Sequence, residues 1–138
     1  MYKFGNKSQE KLLGVNPDLV RVAQRALDFG VMDFSIIEGL RTADRQQELY
    51  REGKSQLDGV IVRSKHQGGN AIDILPYPAI VNGVNVWDDR QRFSVLAGLM
   101  YAAASIEGVT LRWGSDWDGD GNNADSKFFD APHFELPQ

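Results

Sequence analysis

The chain has no cysteine among its 138 residues, and this absence constrains both its fold and its chemistry. Disulfide bonds, thiolate catalysis and cysteine-type zinc sites are excluded together, so any metal must be bound by histidine, carboxylate or backbone oxygen. With 42% hydrophobic residues, the composition is that of an ordinary globular protein. A chain of this length favours one domain. We therefore expect residues 1–138 to form a single domain that is stabilised by an apolar core.

The charge balance argues against a nucleic-acid partner. Asp plus Glu is 19 and Lys plus Arg is 15, which gives a net charge of −4, and the pI is about 5.1. Without a polybasic run, a metal-dependent nuclease is a remote alternative. No stretch approaches the ~18 apolar residues of a membrane span, and the first 14 residues lack the apolar core of a secretory signal. We therefore expect no membrane partner, and synthesis in a cytoplasm with export dependent on another protein.

Hydrophobic periodicity predicts three helices. The first begins at Pro17 after the capping residue Asn16 and stops near Gly30. The second runs roughly from Ala43 to Arg51 after Thr42, and the third, with the longest apolar stripe, from about Asp88 to Glu107.

Between the helices, short apolar runs predict strands, which are Phe34–Glu38, Ala71–Leu75, Val84–Trp87, Val109–Trp113 and His133–Leu136. The segment from Lys54 to Lys65 has no helical period and is predicted to be a long loop. This order of elements favours an α+β fold, in which about three helices flank a small, mostly antiparallel sheet.

The chemistry is concentrated near the two histidines of the chain, His66 and His133. Strand alternation turns Asp73 away from the core, because its two isoleucine neighbours share the opposite face. The same alternation buries Phe134 and Leu136 and turns His133 outward. The two outward faces could share one cleft.

The motif around these residues is specific. The ten residues from Ser64 to Asp73 fit S-x-H-x-x-G-x-A-x-D, and Asp130 to His133 supplies D-x-x-H. Here the chain resembles the zinc peptidases of peptidoglycan stem peptides. That family includes vancomycin-resistance D,D-dipeptidases, D,D-carboxypeptidases and phage L-alanyl-D-glutamate endolysins, and its fold is also that of the Hedgehog signalling domain. The length is most similar to the short endolysins.

The resemblance implies a zinc site with His66, Asp73 and His133 as ligands and Asp130 as the catalytic carboxylate. Two imidazoles and one carboxylate leave the fourth position of a tetrahedral zinc open, as in catalytic sites. Asp130 would accept a proton from the attacking water and pass it to the leaving amine. The family often has Glu at this position, so the reach of the shorter Asp130 differs from the family pattern.

Two further residues are candidates by the same resemblance. Arg41 would stabilise the oxyanion or anchor a substrate carboxylate, for which its fixed set of donors is suited. The alternative for Arg41 is a surface ion pair. Ser64 would position substrate, or hold the loop of His66.

An acidic loop predicts a second metal. Asp116, Asp118 and Asp120, followed by Gly121, match the opening of an EF-hand calcium loop. The match ends at Lys127, where a bidentate Glu is expected, and a solvated acidic turn is the alternative. If the loop binds calcium, its order would affect the nearby Asp130.

The resemblance therefore implies a monomeric zinc endopeptidase that cuts the L-alanyl-D-glutamate bond of bacterial peptidoglycan stem peptides. As an endolysin it would be made in the host cytoplasm without a signal peptide and would act on the cell wall after release. A D-alanyl-D-alanine carboxypeptidase or dipeptidase would use the same metal and base. A non-catalytic, metal-stabilised cell-wall binding module is the alternative from a different class of protein, and the presence of Asp130 argues against it.

Overall fold

The computed structural model describes residues 1–54, 65–114 and 130–137. Within these ranges the chain forms four α-helices, which are α1 (Asn6–Leu12), α2 (Pro17–Asp28), α3 (Ala43–Arg51) and α4 (Arg90–Glu107). The strands there are β1 (Phe34–Glu38), β2 (Ala71–Pro76), β3 (Ile80–Val81), β4 (Val84–Asn85), β5 (Arg112–Trp113) and β6 (His133–Glu135). The predicted α+β class is confirmed.

Among the described residues, the main sheet has four strands in the order β1-β2-β6-β5, and every neighbouring pair is antiparallel. Strands β3 and β4 form a separate two-stranded hairpin. The strand β2 is therefore central and β6 lies beside it, which places the motif around Asp73 next to the motif around His133. A bulge in β1 between Ile36 and Glu38 shifts the register beside this point.

Local signals explain most of the helix boundaries. The side chain of Asn16 accepts a hydrogen bond from the backbone of Asp18, and Thr42 caps α3 in the same way through Arg45. Helix α4 ends at Gly108, whose left-handed φ of 69° is costly for other residues.

The sequence prediction missed one helix and misplaced the start of another helix and of a strand. Helix α1 was not predicted, because it has few apolar residues; it contacts β1 through Ser8, whose hydroxyl accepts the backbone N–H of Ile36. The helix predicted from Asp88 is α4, which begins at Arg90, because residues 86–88 form a 3₁₀ turn. The same turn limits the strand predicted from Val84 to two residues. Strand β5 keeps only the last two residues of its prediction.

The core lies between the helical layer and one face of the sheet. Apolar residues of α2 and α4 pack on each other, and Ile72 and Phe134 of the sheet are fully buried beneath them. Burial of each such side chain contributes roughly 1.5–3 kcal/mol to folding. None of the helices in the described ranges has the length and apolar character needed to cross a bilayer. The other face of β2 and β6 carries the polar motif residues.

Candidate metal centre

Three side chains meet at the middle of the sheet. Asp73 on β2 is paired directly with His133 on β6, and His66 lies in the turn that precedes β2. The Oδ1 atom of Asp73 is 3.3 Å from Nε2 of His66 and 3.3 Å from Nδ1 of His133. The predicted alternation is confirmed, because His133 and Phe134 occupy opposite faces. However, His133 is only 8% exposed, so the face that points away from the core is covered as well.

The remaining ring nitrogens have partners that only accept hydrogen bonds. Nδ1 of His66 is 2.9 Å from the carbonyl oxygen of Gly39, and Nε2 of His133 is 2.8 Å from Oε1 of Glu135. These nitrogens must therefore donate, since a carbonyl and a carboxylate have no proton to give. In the neutral rings the lone pairs then lie on Nε2 of His66 and Nδ1 of His133. Both lone pairs are on the side of Asp73.

The spacing of these atoms fits a small tetrahedral metal. Ligand atoms at the corners of a tetrahedron with bonds of ~2.0–2.1 Å are separated by about 3.3–3.4 Å. One ligand atom from each of His66, Asp73 and His133 can be chosen so that all three lie within 4.8 Å of one another. Oδ1 of Asp73 is also buried without a well-formed hydrogen bond to the described residues. A cation at this point would supply the missing partner.

The charges of this group are strongly coupled. In the metal-free protein burial alone would raise the pKa of Asp73, but the adjacent His133 and His66 more than offset it and hold that pKa well below its usual range. Burial alone would lower the pKa of His133, whereas its hydrogen bonds to Asp73 and Glu135 raise it to about 9. The pocket therefore favours a cationic group beside Asp73.

Asp130 lies just before β6, within electrostatic range of this group. Its backbone N–H donates to the carbonyl of Gly114 at 2.9 Å, and its own carbonyl accepts the N–H of His133 at 3.1 Å. Burial raises the pKa of the Asp130 carboxyl, and the charge of Asp73 raises it further, while His133, His66 and Arg41 oppose the change. A raised pKa suits a group that accepts and later returns a proton near neutral pH.

Arg41 is held on the other side of the group. Its Nε is 2.6 Å from Oε1 of Glu38, and its Nη1 donates to Oε1 of Gln46, which is fully buried. The side chain of Arg41 is 9% exposed, so this is a buried, doubly anchored guanidinium rather than a surface ion pair. Its backbone N–H also donates to the carbonyl of His66 at 2.9 Å.

Two glycines allow the chain to approach these residues closely. A Cβ at Gly39 would lie 1.9 Å from the carbonyl oxygen of Lys11, and a Cβ at Gly114 would lie 2.2 Å from the carbonyl oxygen of Asp130. Atoms cannot approach to such distances, so a side chain would displace the backbone at either position. Gly39 thereby supports His66, and Gly114 supports Asp130.

The structure brings together five of the predicted residues, which are Arg41, His66, Asp73, Asp130 and His133. The predicted Ser64 and the acidic loop with Asp116, Asp118 and Asp120 lie outside the described residues, as does most of the long loop predicted from Lys54 to Lys65.

Sequence reasoning assigned no role to Glu38, Gln46 or Glu135. Strand alternation could have found Glu135, because a residue two positions after His133 shares its face. The spacing of Glu38 and Gln46 from Arg41 carries no comparable signal.

The fold and this group together define a small α+β protein with a site compatible with a metal ion. Residues 1–137 match the family model of the phage L-alanyl-D-glutamate peptidases. The chain is 36% identical over 138 residues to the L-alanyl-D-glutamate peptidase of Escherichia phage T5, with 98% of each chain covered. The chain therefore belongs to the phage L-alanyl-D-glutamate peptidase family.

Two solved structures extend the comparison. The Serratia marcescens L-Ala D-Glu endopeptidase ChiX matches with a TM-score of 0.75 and 36% identity, over 98% of this chain and 90% of that one. The vancomycin-resistance D,D-dipeptidase VanXYg, crystallised with a D-Ala-D-Ala phosphinate analogue, matches with a TM-score of 0.50 over 88% of this chain and 50% of that one. At 17% identity this second likeness concerns the fold alone.

Proposed function

We propose that this protein is a zinc-dependent peptidoglycan endopeptidase that hydrolyses the L-alanyl-D-glutamate bond of stem peptides, and that it acts as a phage endolysin in host lysis. The observation that carries the proposal is the convergence of His66, Asp73 and His133 at tetrahedral spacing, with the Asp130 carboxylate nearby. The choice of bond is supported by family membership, since the names of the T5 and Serratia relatives describe this bond.

The donor set favours zinc over harder cations. Two imidazole nitrogens and one carboxylate oxygen are the ligand types that zinc prefers, whereas calcium and magnesium prefer oxygen alone. Zinc bound by His66, Asp73 and His133 would supply a Lewis acid that polarises the scissile carbonyl and lowers the pKa of water.

Asp130 is the general base and acid of the proposed reaction. Its carboxylate accepts a proton from the attacking water as the new bond from oxygen to the carbonyl carbon forms. It then donates this proton to the leaving nitrogen as the bond between carbon and nitrogen breaks, so that the group ends in its initial state. The raised pKa of Asp130 supports this role, because a carboxylate with a higher pKa accepts the proton of water more readily and can then donate it to the leaving nitrogen.

Arg41 acts on developing or existing negative charge. Glu38 and Gln46 occupy Nε and Nη1 of its guanidinium and fix the orientation of the fork. A guanidinium held in this way stabilises an oxyanion, or binds a substrate carboxylate, with little reorganisation.

The remaining assignments stay predictions. Residues 1–138 are proposed to be a single zinc peptidase catalytic domain, which works as a monomer on the cell wall after synthesis in the host cytoplasm. Calcium binding at Asp116, Asp118 and Asp120 is tested by titrating calcium into the zinc-loaded protein while activity is followed. An unchanged rate at millimolar calcium would remove calcium from the proposal. Ser64 is tested by Ser64→Ala, for which a substrate contact predicts a higher KM at unchanged zinc affinity.

Mass spectrometry of purified muropeptides tests the proposed function directly. The protein is incubated with zinc, with a chelator, and as the Asp130→Ala variant. Asp28→Ala, at the end of α2, is the matched control for loss of a carboxylate outside the site. We expect new fragments separated between L-alanine and D-glutamate with the wild type and the control variant. Neither the chelated protein nor Asp130→Ala should produce them.

Other products would point to the alternatives. Release of a terminal D-alanine from muropeptides would replace the endopeptidase by a D,D-carboxypeptidase. Hydrolysis of added free D-alanyl-D-alanine to two D-alanines, with the muropeptides left intact, would replace it by a dipeptidase. If zinc binds, calcium is supplied, and neither muropeptides nor free D-alanyl-D-alanine are cut, the function becomes that of a cell-wall binding module.

A further inference from the structure

Glu135 is a buried carboxylate that the proposed reaction does not use. Its side chain is only 5% exposed, and it lies on the same face of β6 as His133. Oε1 accepts a hydrogen bond from Nε2 of His133 at 2.8 Å, and Oε2 accepts one from Arg112 at 2.6 Å. Burial of a carboxylate is costly unless it is paired and hydrogen-bonded. The two contacts therefore define where Glu135 can sit.

Strand register determines this arrangement. Arg112 of β5 is the cross-strand partner of Glu135, and Ala71 of β2 is its partner on the other side. The guanidinium thus reaches the carboxylate from the edge of the sheet, while the small Ala71 occupies the opposite neighbour position. A continuous line of contacts runs from Arg112 through Glu135 and His133 to Asp73. It crosses three adjacent strands.

We propose that Glu135, held by Arg112, is a positioning residue that selects Nδ1 of His133 as the metal-binding nitrogen. The inference rests on the proposed zinc function. A histidine ring has two possible ligand atoms, and which one is available depends on the proton and the hydrogen bond at the other. Glu135 accepts the proton at Nε2 and so leaves the lone pair of Nδ1 directed toward Asp73. Partners of this kind orient metal-binding histidines and strengthen the metal site.

The two histidines differ in the kind of group that accepts their ring proton. Its Nδ1 donates to a backbone carbonyl, that of Gly39, so Nε2 is the nitrogen that faces Asp73. The two histidines therefore present opposite ring nitrogens to the same carboxylate oxygen. The residues of β6 pair with β2 and β5, and the acceptor that Nε2 of His133 contacts is the side chain of Glu135.

A purely structural ion pair between Glu135 and Arg112 is the competing explanation, and zinc affinity separates the two. The variants are Glu135→Ala, which removes the acceptor, and Glu135→Gln, which keeps an acceptor oxygen. Glu107→Gln is the matched control, because Glu107 forms its ion pairs with two arginines of α2, Arg21 and Arg25, rather than with a residue of the site. The dissociation constant for zinc is measured by competition with a chromophoric chelator at fixed pH.

We expect Glu135→Ala to weaken zinc binding by about 10- to 100-fold. Glu135→Gln should weaken it less, because its amide oxygen can still accept the Nε2 proton, and the control should leave it unchanged. Two-bond ¹H–¹⁵N spectra of the zinc-loaded wild type should show His133 protonated at Nε2. The Glu135→Ala spectrum should lose this single tautomer.

Contrary results fall into two distinguishable groups. Zinc affinity of Glu135→Ala within twofold of the wild type would overturn the positioning role and leave the proposed function intact. Absence of zinc binding by the wild type would overturn the metal in the proposed function and, with it, this inference. If Glu135→Ala does not fold, Glu135→Gln and Arg112→Gln decide, because the second variant removes the guanidinium that holds Glu135. A zinc affinity within twofold of the wild type and an unchanged His133 tautomer in both variants would also overturn the role.

Discussion

The two imidazoles of the site are held by different kinds of support. On one side, His66 lies in a turn and donates to the backbone carbonyl of Gly39, while its own carbonyl accepts the backbone N–H of Arg41. On the other side, His133 lies on a strand and donates to the side chain of Glu135, which Arg112 holds. The backbone support of His66 depends on the close approach of chain segments. The side-chain support of His133 depends on one partly buried ion pair, that of Glu135 with Arg112. The two sides should therefore fail through different substitutions.

The largest loss of activity is expected from Gly39→Ala, which disturbs the backbone support of His66. The added Cβ would lie 1.9 Å from the carbonyl oxygen of Lys11, so the backbone must move together with the carbonyl that orients His66. A displacement of about 1 Å at a catalytic group can reduce the rate ~100-fold, and we expect at least that loss in kcat/KM. Muropeptide hydrolysis by the zinc-loaded protein measures it.

Gly98→Ala is the matched control for this substitution. Gly98 lies inside α4, where an added Cβ would meet no atom within 4 Å, and alanine is favoured over glycine in helices by ~1 kcal/mol. It should raise the melting temperature and leave activity unchanged. Wild-type activity of Gly39→Ala would show that the backbone does not position His66.

Gly114→Ala tests the placement of Asp130, the proposed general base. A Cβ would lie 2.2 Å from the carbonyl oxygen of Asp130, and Gly114 also donates its N–H to the carbonyl of His133. We expect kcat to fall by roughly 10- to 100-fold, with a smaller change in zinc affinity, because Asp130 is displaced more directly than the ligands. Steady-state kinetics and zinc competition measure the two quantities. Equal losses in both would place the effect on the ligands instead.

Without bound metal, the thermal stability of the protein should depend on pH through His133. The pKa of His133 is raised from 6.5 to about 9 by Asp73 and Glu135 against the opposing effect of burial. A raised folded-state pKa contributes stability that is complete below pH 6.5 and is lost as the pH rises toward 9. The contribution is on the order of 3 kcal/mol, so the melting temperature should fall by several degrees across this window.

His133→Gln is the comparison variant for this measurement, which is made by thermal unfolding in the presence of a chelator. Because glutamine does not titrate, its melting temperature should change less between pH 6.5 and pH 9 than that of the wild type. Parallel curves for the two proteins would contradict the raised pKa of His133.

The smallest effect is expected far from the site, from Glu107→Gln. The Arg25 guanidinium, with Arg21, holds the pKa of Glu107 below its usual range. A lowered pKa contributes stability above the unfolded pKa that is lost as the pH falls, but both arginine side chains are about half exposed, so solvent screens these ion pairs. We expect a small drop in melting temperature at neutral pH, none in acid, and unchanged hydrolysis. A loss of activity would mean that the helical layer and the site are coupled.

Much of the site could be predicted from the sequence because residue type and strand period carry local information. The resemblance of the two motifs to the zinc peptidases of stem peptides implied the ligand set, and strand alternation placed Asp73 and His133 away from the core. Caps at Asn16 and Thr42 were readable for the same reason, since each depends on a side chain and the backbone two or three residues later.

The tertiary structure decided what depends on contacts between distant segments. Helix α1 has little apolar signal of its own and is placed by its contact with β1 through Ser8. The pairing of Glu135 with Arg112, and of Arg41 with Glu38 and Gln46, follows from strand register and side-chain direction rather than from any pattern of residue types.

The sequence by itself therefore determined the residue types of the candidate site, their faces on the strands and the α+β class. Only the tertiary structure decided which ring nitrogen of each histidine faces Asp73, because that choice depends on the hydrogen-bond acceptor on the far side of the ring. For His66 the acceptor is the carbonyl of Gly39, 27 positions earlier in the sequence. For His133 the acceptor is the carboxylate of Glu135, which a cross-strand arginine holds by a hydrogen bond. Local patterns carry residue identity and period, whereas the direction of a lone pair is set by the packed fold.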